Sequence, residues 1–261
     1  MTAMSETINL NADMAEGFGA YDIGNDSGLL EVVNSANVAC GFHAGDPLVM
    51  HRVVAEAARR GVSIGVHPGF NDLWGFGRRR VDTKPHDLEM MIAYQIGALQ
   101  AIASYAGVRV THLKPHGALN NMAAEMNDYA LAIARAIKAV DSNIIYVALA
   151  GSEMEKAGHA LGLKVALEGF CDRQYDDEGN LVSRKLEGSV IRDPAKAADQ
   201  AAEIVMRKTV TTRSGKTIPC RVHSLCVHGD EPTGVAVARA VRARLESSGV
   251  KLVPLTEMSF D

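Results

Sequence analysis

The chain has 261 residues, 27 Lys+Arg against 31 Asp+Glu, a formal net charge of −4 and 47% hydrophobic residues. Ample apolar content at small net charge excludes a disordered chain, and the absence of a basic excess argues against a nucleic-acid binder. No apolar run approaches the ~20 residues of a membrane-crossing helix, and the polar start Met1–Thr7 lacks the basic flank and apolar core of a signal peptide, so a cytoplasmic protein is expected.

In chain order, short β-branched runs alternate with helical patterns. The first strand covers Ile8–Leu10, and its alternation puts Asn9, Asn11 and Asp13 on one face, with Glu16 beyond the strand end. The second, Ala36–Ala39, carries Asn37 and runs into Cys40-Gly41-Phe42-His43-Ala44-Gly45-Asp46. Asp46-Pro47 reads as N-cap and first helical residue of a helix over Leu48–Arg60, stopped by Gly61. The third strand, Val62–Val66, ends in His67-Pro68-Gly69. The following loop, Gly75-Phe76-Gly77-Arg78-Arg79-Arg80, is either a solvated basic loop or an anion clamp, with Trp74 lining the pocket or covering the loop. A helix over Pro85–Tyr105 precedes the fourth strand, Val108–Leu113, where His112, Lys114 and His116 share a face.

Helices over Asn127–Val140 and Ser152–Leu161 flank a fifth strand, Ile144–Leu149. The sixth, Lys164–Leu167, is followed by Glu168, Asp172 and Arg173. A helix over Pro194–Lys208 leads to a polar stretch, Thr209–Arg221, read as an inserted hairpin. The seventh strand, Val222–Val227, ends in His228-Gly229-Asp230; a helix over Pro232–Ser248 and an eighth strand, Lys251–Leu255, close the chain. Strands alternating with helices imply a parallel sheet with crossover helices, and this number of strands at this length implies a (β/α) barrel in a single domain over residues 1–261. Cys40, Cys171, Cys220 and Cys226 show no metal or disulfide spacing and read as free thiols.

The polar residues concentrate at the strands' C-terminal ends, which in a barrel converge on one mouth. Five of the nine histidines, His43, His67, His112, His116 and His228, fall there. Each has a plain alternative: His43 as a turn cap, His67 as a strand terminus, Asp46 as a helix cap first and a site group second, Glu16 as a solvent-facing residue. Together they point to an enzyme, because burying several ionisable groups in one place costs several kcal/mol unless function retains them. Lys114 inside a barrel reads as a cation for a carboxylate, a phosphate or a developing oxyanion. Asp13, His43 and His67 are the metal-ligand candidates. His112 and His116, ~13 Å apart on a continuous strand, share an ion only if the strand ends between them, as Pro115 allows. No Walker A pattern occurs, and Gly17-Phe18-Gly19 lacks the third glycine of a dinucleotide fingerprint.

Several strings resemble the LamB/YcsF family. They are Leu10-Asn-Ala-Asp13 with Glu16-Gly-Phe-Gly19, Ser35-Ala-Asn37 through Pro47, His67-Pro68 with Gly75 to Arg79, His112-Leu-Lys114-Pro-His116-Gly-Ala-Leu119, Glu168 with Asp172-Arg173 and Tyr175, Leu181 to Arg184, and Val227 to Asp230. Met14-Ala15, Asn121, Gly169 and Cys171 depart from the family pattern without removing an ionisable candidate. The resemblance implies a deformed (β/α) barrel of the glycoside hydrolase/deacetylase type with seven parallel strands, the eighth lying outside. It implies opening of the lactam of 5-oxo-L-proline to L-glutamate, coupled to hydrolysis of ATP (with Mg²⁺) to ADP and phosphate. This chain would be one component of a multi-subunit 5-oxoprolinase, acting with subunits B and C.

That chemistry needs a base, a cation for phosphoryl or oxyanion charge, and a clamp for the substrate carboxylate. The expected catalytic group is Asp13 as base or metal-directing carboxylate, His43 and His67 as acid–base residues, Lys114 as electrostatic stabiliser, and His116 beside them as an anion contact. Substrate and anion contacts are expected from Asn11, Asn37, Asp46 and Arg79, and from Glu168, Asp172, Arg173 and His228. Two other readings stand beside this one: a stand-alone metal-dependent amidohydrolase or deacetylase, and a non-catalytic component that docks partners. No motif assigns ATP to this chain rather than to a partner.

Overall fold

The computed structural model describes residues 6–229 and 232–260. Strand β1 (Thr7–Met14) is buried along nearly its whole length on both faces, as a strand between a barrel interior and a helical layer must be. A short helix α1 (Asp26–Leu30), capped by the Asn25 side chain on the Gly28 N–H, precedes β2 (Ser35–Ala39). In α2 (Pro47–Arg60) the Asp46 carboxylate accepts the N–H groups of Leu48 and Val49, and Gly61 ends the helix at φ 69°. The chain continues through β3 (Ser63–His67), α3 (Pro85–Tyr105) and β4 (Val110–Leu113) to α4 (Gly117–Glu125) and α5 (Asn127–Val140). Next come β5 (Ile145–Leu149), α6 (Glu153–Ala160), β6 (Val165–Phe170) and α7 (Pro194–Ala202).

Where the sequence suggests one helix to Lys208, the last turn widens to a π turn over Glu203–Arg207, ended by Lys208 in the left-handed region at φ 58°. The stretch read as a hairpin contains two antiparallel strands, β7 (Thr209–Thr211) and β8 (Thr217–Pro219). Then come β9 (Ser224–Val227), α8 (Gly234–Ser247) and the two-residue β10 (Lys251–Leu252). Two short helices, α1 and α4, had no sequence signal. Helix α4 begins at Gly117 with φ 52°, and its cap residue His116 makes no side-chain capping bond.

Strands β1, β2, β3, β4, β5, β6 and β9 pair in that order, all parallel, and β9 pairs back to β1 to close a seven-stranded barrel. The expected eighth strand stays outside: β10 adds to β1 only at Thr7 and Ile8. Ile8, Leu10, Ala12 and Met14 face the helical layer and its apolar core, leaving Asn9, Asn11 and Asp13 for the interior. The C-terminal segment packs Leu255, Met258 and Phe260 on Ile145, Val147 and Ala166, and the Asn9 amide donates to the Val253 carbonyl. One end of the barrel is thereby stoppered, and chemistry is confined to the other. All four cysteines are buried and free. No described helix is long and apolar enough to cross a membrane.

Candidate active site

At the open end, Lys114 stands between two carboxylates. Its ammonium lies 3.0 Å from Asp13 Oδ1, 3.2 Å from Glu168 Oε1 and 2.9 Å from Cys226 Sγ. Burial works against its charge, but Asp13, Cys226 and Glu168 more than offset that and hold its pKa well above the usual lysine value. Burial also pushes the Asp13 carboxyl up, yet its contacts with His67 and Lys114 prevail and hold it well below the ordinary carboxylate range. At Glu168 burial wins, and the pKa is raised. Two carboxylates on one ammonium are thus driven in opposite directions.

A relay behind Asp13 aims it. Between β3 and β4 the register shifts at Ile64/Gly65, and the His112 ring lies over Gly65, where a Cβ would sit 2.3 Å from it. His112 Nε2 donates to Asn37 Oδ1 at 3.0 Å; Asn37 Nδ2 donates to Asp13 Oδ1 at 2.9 Å and Asn11 Oδ1 at 2.7 Å; Asn11 Nδ2 donates to Glu168 Oε1 at 2.9 Å. Burial, with Lys114 nearby, lowers the His112 pKa to about 3, so the ring is neutral. His112, Asn37 and Asn11 therefore orient the two carboxylates from below. None of the three reaches the cavity wall.

Beside Asp13 the remaining histidines gather. His67 Nε2 is 3.2 Å from Asp13 Oδ2 and 3.0 Å from His116 Nδ1. His43 stacks on His116, ring centroids 3.7 Å apart. Glu16, which the sequence left either as a partner carboxylate to Asp13 or as a solvent-facing residue, is only 5% exposed and lies 3.3 Å from His43 Nε2 and 3.4 Å from His116 Nδ1. Ala15 at φ 59° turns the chain so that Glu16 points inward, its own N–H held by the Asp26 carboxylate. Burial lowers the pKa of His43 and of His116 well below the usual imidazole value. One ligand atom each from Glu16, His43, His67 and His116 lies within 4.8 Å of the others. That set revises the metal candidates: Glu16 joins and Asp13 is not among the four. β4 does end between His112 and His116, but His112 stands apart because its Nε2 is turned to Asn37.

These groups floor a cavity of about 1270 Å³. Asp13, Glu16, His67, Lys114, His116, Glu168, Arg173 and His228 all contribute to its wall. Arg173 donates to the Val182 carbonyl and, largely through burial, its pKa falls to about 10. His228 stacks on Phe170, and Asp172 orients it from behind, taking the His228 N–H and Nδ1 at 2.9 Å.

Several expected contacts stand elsewhere. Asp46 is spent on the α2 cap and on the Gly19 N–H. Arg79 turns out of the cavity to pair with Asp72, its side chain 67% exposed; Arg78 and Arg80 line the wall instead. His43 lies behind His116 and does not reach the cavity, and Trp74 is 97% exposed outside it. Asp230 lies outside the described residues. Arg184 stands in one of the family-like strings but was given no site role, and the Lys114–Cys226 contact carried no signal, because a lone cysteine has no periodicity.

The fold and this mouth define a deformed (β/α) barrel of the glycoside hydrolase/deacetylase type, with a buried lysine between carboxylates. The catalytic domain of a peptidoglycan N-acetylglucosamine deacetylase from Eubacterium rectale shares the fold, at TM-score 0.55 and 13% identity over 99% of this chain and 92% of that one. The LamB/YcsF family matches residues 8–260, and the chain belongs to that family. It is 51% identical over 249 residues to the A subunit of 5-oxoprolinase from Rhodopseudomonas palustris strain BisB18, covering 95% of this chain and 98% of that protein. The crystal structure of a lactam utilization protein from Thermus thermophilus superposes at TM-score 0.91 with 41% identity, covering 95% of this chain and 100% of that one.

Proposed function

We propose that this chain opens the lactam ring of 5-oxo-L-proline to L-glutamate, driven by ATP hydrolysis, as the A component of a complex with subunits B and C. Names of relatives support the substrate and the role as one part of a complex. The observation that carries the chemistry is the buried Asp13–Lys114–Glu168 group at the cavity floor.

A five-membered lactam is a stable amide, so its oxygen must first become part of a leaving group. Transfer of a terminal phosphoryl group onto that oxygen releases ADP, and Lys114 stabilises the negative charge there. Asp13, held ionised, takes a proton from water as it attacks the ring carbonyl carbon. Glu168, whose environment favours the protonated form, gives its proton to the ring nitrogen as the C–N bond breaks. Pairs of carboxylates driven apart in this way are how one site holds both a base and an acid. A second water then releases phosphate from the resulting acyl phosphate, leaving glutamate. Arg173 is the clamp for the substrate carboxylate. The cavity far exceeds a five-membered ring and has Arg78, Arg80 and Arg184 on its wall, which suits a polyphosphate alongside.

The test is 5-oxoproline-dependent ATP hydrolysis with and without the two partner subunits. Turnover that requires all three chains, and disappears with Asp13→Asn, supports the reading. Ring opening by this chain alone without ATP refutes it and favours a stand-alone amidohydrolase.

A further inference from the structure

The histidines beside Asp13 are arranged in a way that acid–base work does not require. His67 Nδ1 donates to the Lys114 carbonyl at 2.7 Å, and His116 Nε2 donates to the Phe76 carbonyl at 2.8 Å. A carbonyl oxygen only accepts, so each bond sets a tautomer and leaves the other nitrogen with a bare lone pair. Those two bare nitrogens, His67 Nε2 and His116 Nδ1, lie 3.0 Å apart with the rings crossed at 88°. Glu16 Oε1 lies 3.4 Å from His116 Nδ1 and 4.0 Å from His67 Nε2; Asp13 Oδ2 lies 3.2 Å from His67 Nε2. Electron-rich atoms of Glu16, His67 and His116 converge on one point at the cavity floor, with Asp13 Oδ2 beside His67.

Such a point needs a positive charge. One proton on His67 Nε2 bridges to His116 or to Asp13 but does not serve the whole set. An ion at ~2.0–2.2 Å from each donor serves all of it, and places neighbouring donors about 3.0–3.5 Å apart, close to most of the separations found here. The backbone bonds to the far ring nitrogens are the outer support that metal-bound histidines use. Phe76 is held at φ 52°, strained for a bulky residue, with its carbonyl on His116. His43 is not a ligand in this geometry. Its ring lies 7° from parallel to His116, so the two cannot both aim in-plane lone pairs at one ion. It instead donates from Nε2 to Glu16.

We propose that Glu16, His67 and His116 bind one divalent transition-metal ion of the zinc class, with Asp13 at its edge. Asp13 then bridges two cations, Oδ1 on Lys114 and Oδ2 on the ion. Because the three ligands line the cavity, a coordination position stays open toward it.

The inference does not rest on the 5-oxoproline reading, since its test needs no substrate. The full-length chain is stripped with a chelator, titrated with Co²⁺ or Zn²⁺, gel-filtered and assayed for metal. About one equivalent is expected, with the visible bands of histidine-bound Co²⁺. The isosteric Glu16→Gln variant weakens binding by about 10-fold or more, and His116→Ala abolishes it. His159→Ala, on the exposed surface of α6, leaves it unchanged. Less than about a tenth of an equivalent in the wild-type chain overturns the proposal and assigns the point to a proton on His67. Undiminished binding in Glu16→Gln overturns it equally, and that variant keeps the side-chain volume should His116→Ala fail to fold.

Discussion

Two polar layers inside the barrel, both built on the inward residues of β1, behave differently. Around Asn9 everything is neutral and matched: its amide donates to Ser35 Oγ and the Val253 carbonyl at 2.9 Å, Ser224 Oγ donates to its carbonyl oxygen at 2.8 Å, and Ser35 bonds Ser63. Around Asp13, four strand positions further on, the same interior holds an ammonium, two carboxylates and converging imidazoles. A buried polar residue is therefore no sign of chemistry in itself. The deep layer closes its hydrogen bonds and ends there. The upper layer keeps charges whose pKa values are pulled apart, and those charges face a cavity. Asn11 joins the two, donating to Ser224 Oγ below and to Glu168 above.

The upper layer is most vulnerable at its charged groups. Asp13→Asn and Lys114→Ala are each expected to lower turnover of the reconstituted complex by about 10³-fold; near wild-type rates in both would leave the upper layer with no more role than the lower. Lys114→Met should also destabilise the fold by ~3–5 kcal/mol, because it strands the buried Asp13 carboxylate; urea unfolding measures this.

Acid should expose the upper layer first. His112, His43 and His116 all have lowered pKa values, so each adds stability that is complete above the unfolded histidine pKa of about 6.5. For His112 that contribution drains away as pH falls from there toward its folded value of about 3. The Asp26 carboxyl, raised mainly by burial to about 6, has the opposite sign: its contribution is complete below the unfolded carboxylate range and is lost as pH rises through 6. A His112→Gln variant should therefore show a flatter melting temperature between pH 6.5 and 3, and Asp26→Asn should gain relative stability above pH 6. A wild-type melting temperature that is level across the acid range contradicts the neutral state assigned to these rings.

A smaller effect separates geometry from charge. Gly77 sits at φ 62°, and a Cβ there would meet His43 Cβ at 2.6 Å and His116 Cδ2 at 2.8 Å. Gly77→Ala should cost ~1–3 kcal/mol and reduce turnover at least tenfold without removing any ionisable group. The smallest change comes from the deep layer, where Ser63→Ala should cost about 1 kcal/mol and leave turnover unaltered. A turnover loss matching that of Gly77→Ala would show that the layers are coupled.

Periodicity, capping residues and length were enough to determine a parallel barrel, the main helices and the convergence of polar strand ends, because apolar alternation and the Asp46-Pro47 and Gly61 signals act locally. Asp13, Lys114, His67 and His116 were legible for the same reason: a charge at an inward position of a buried strand stands out against apolar neighbours. Burial, orientation and backbone strain were decided by the tertiary structure alone. Asp46 and Arg79 satisfy local partners in a cap and a loop, and Glu16 turns inward only because Ala15 adopts a left-handed conformation that an alanine side chain does not advertise. Tautomers, opposed pKa shifts and the meeting of Glu16 with His116 across about 100 residues of chain arise from distances that no segment of the sequence contains.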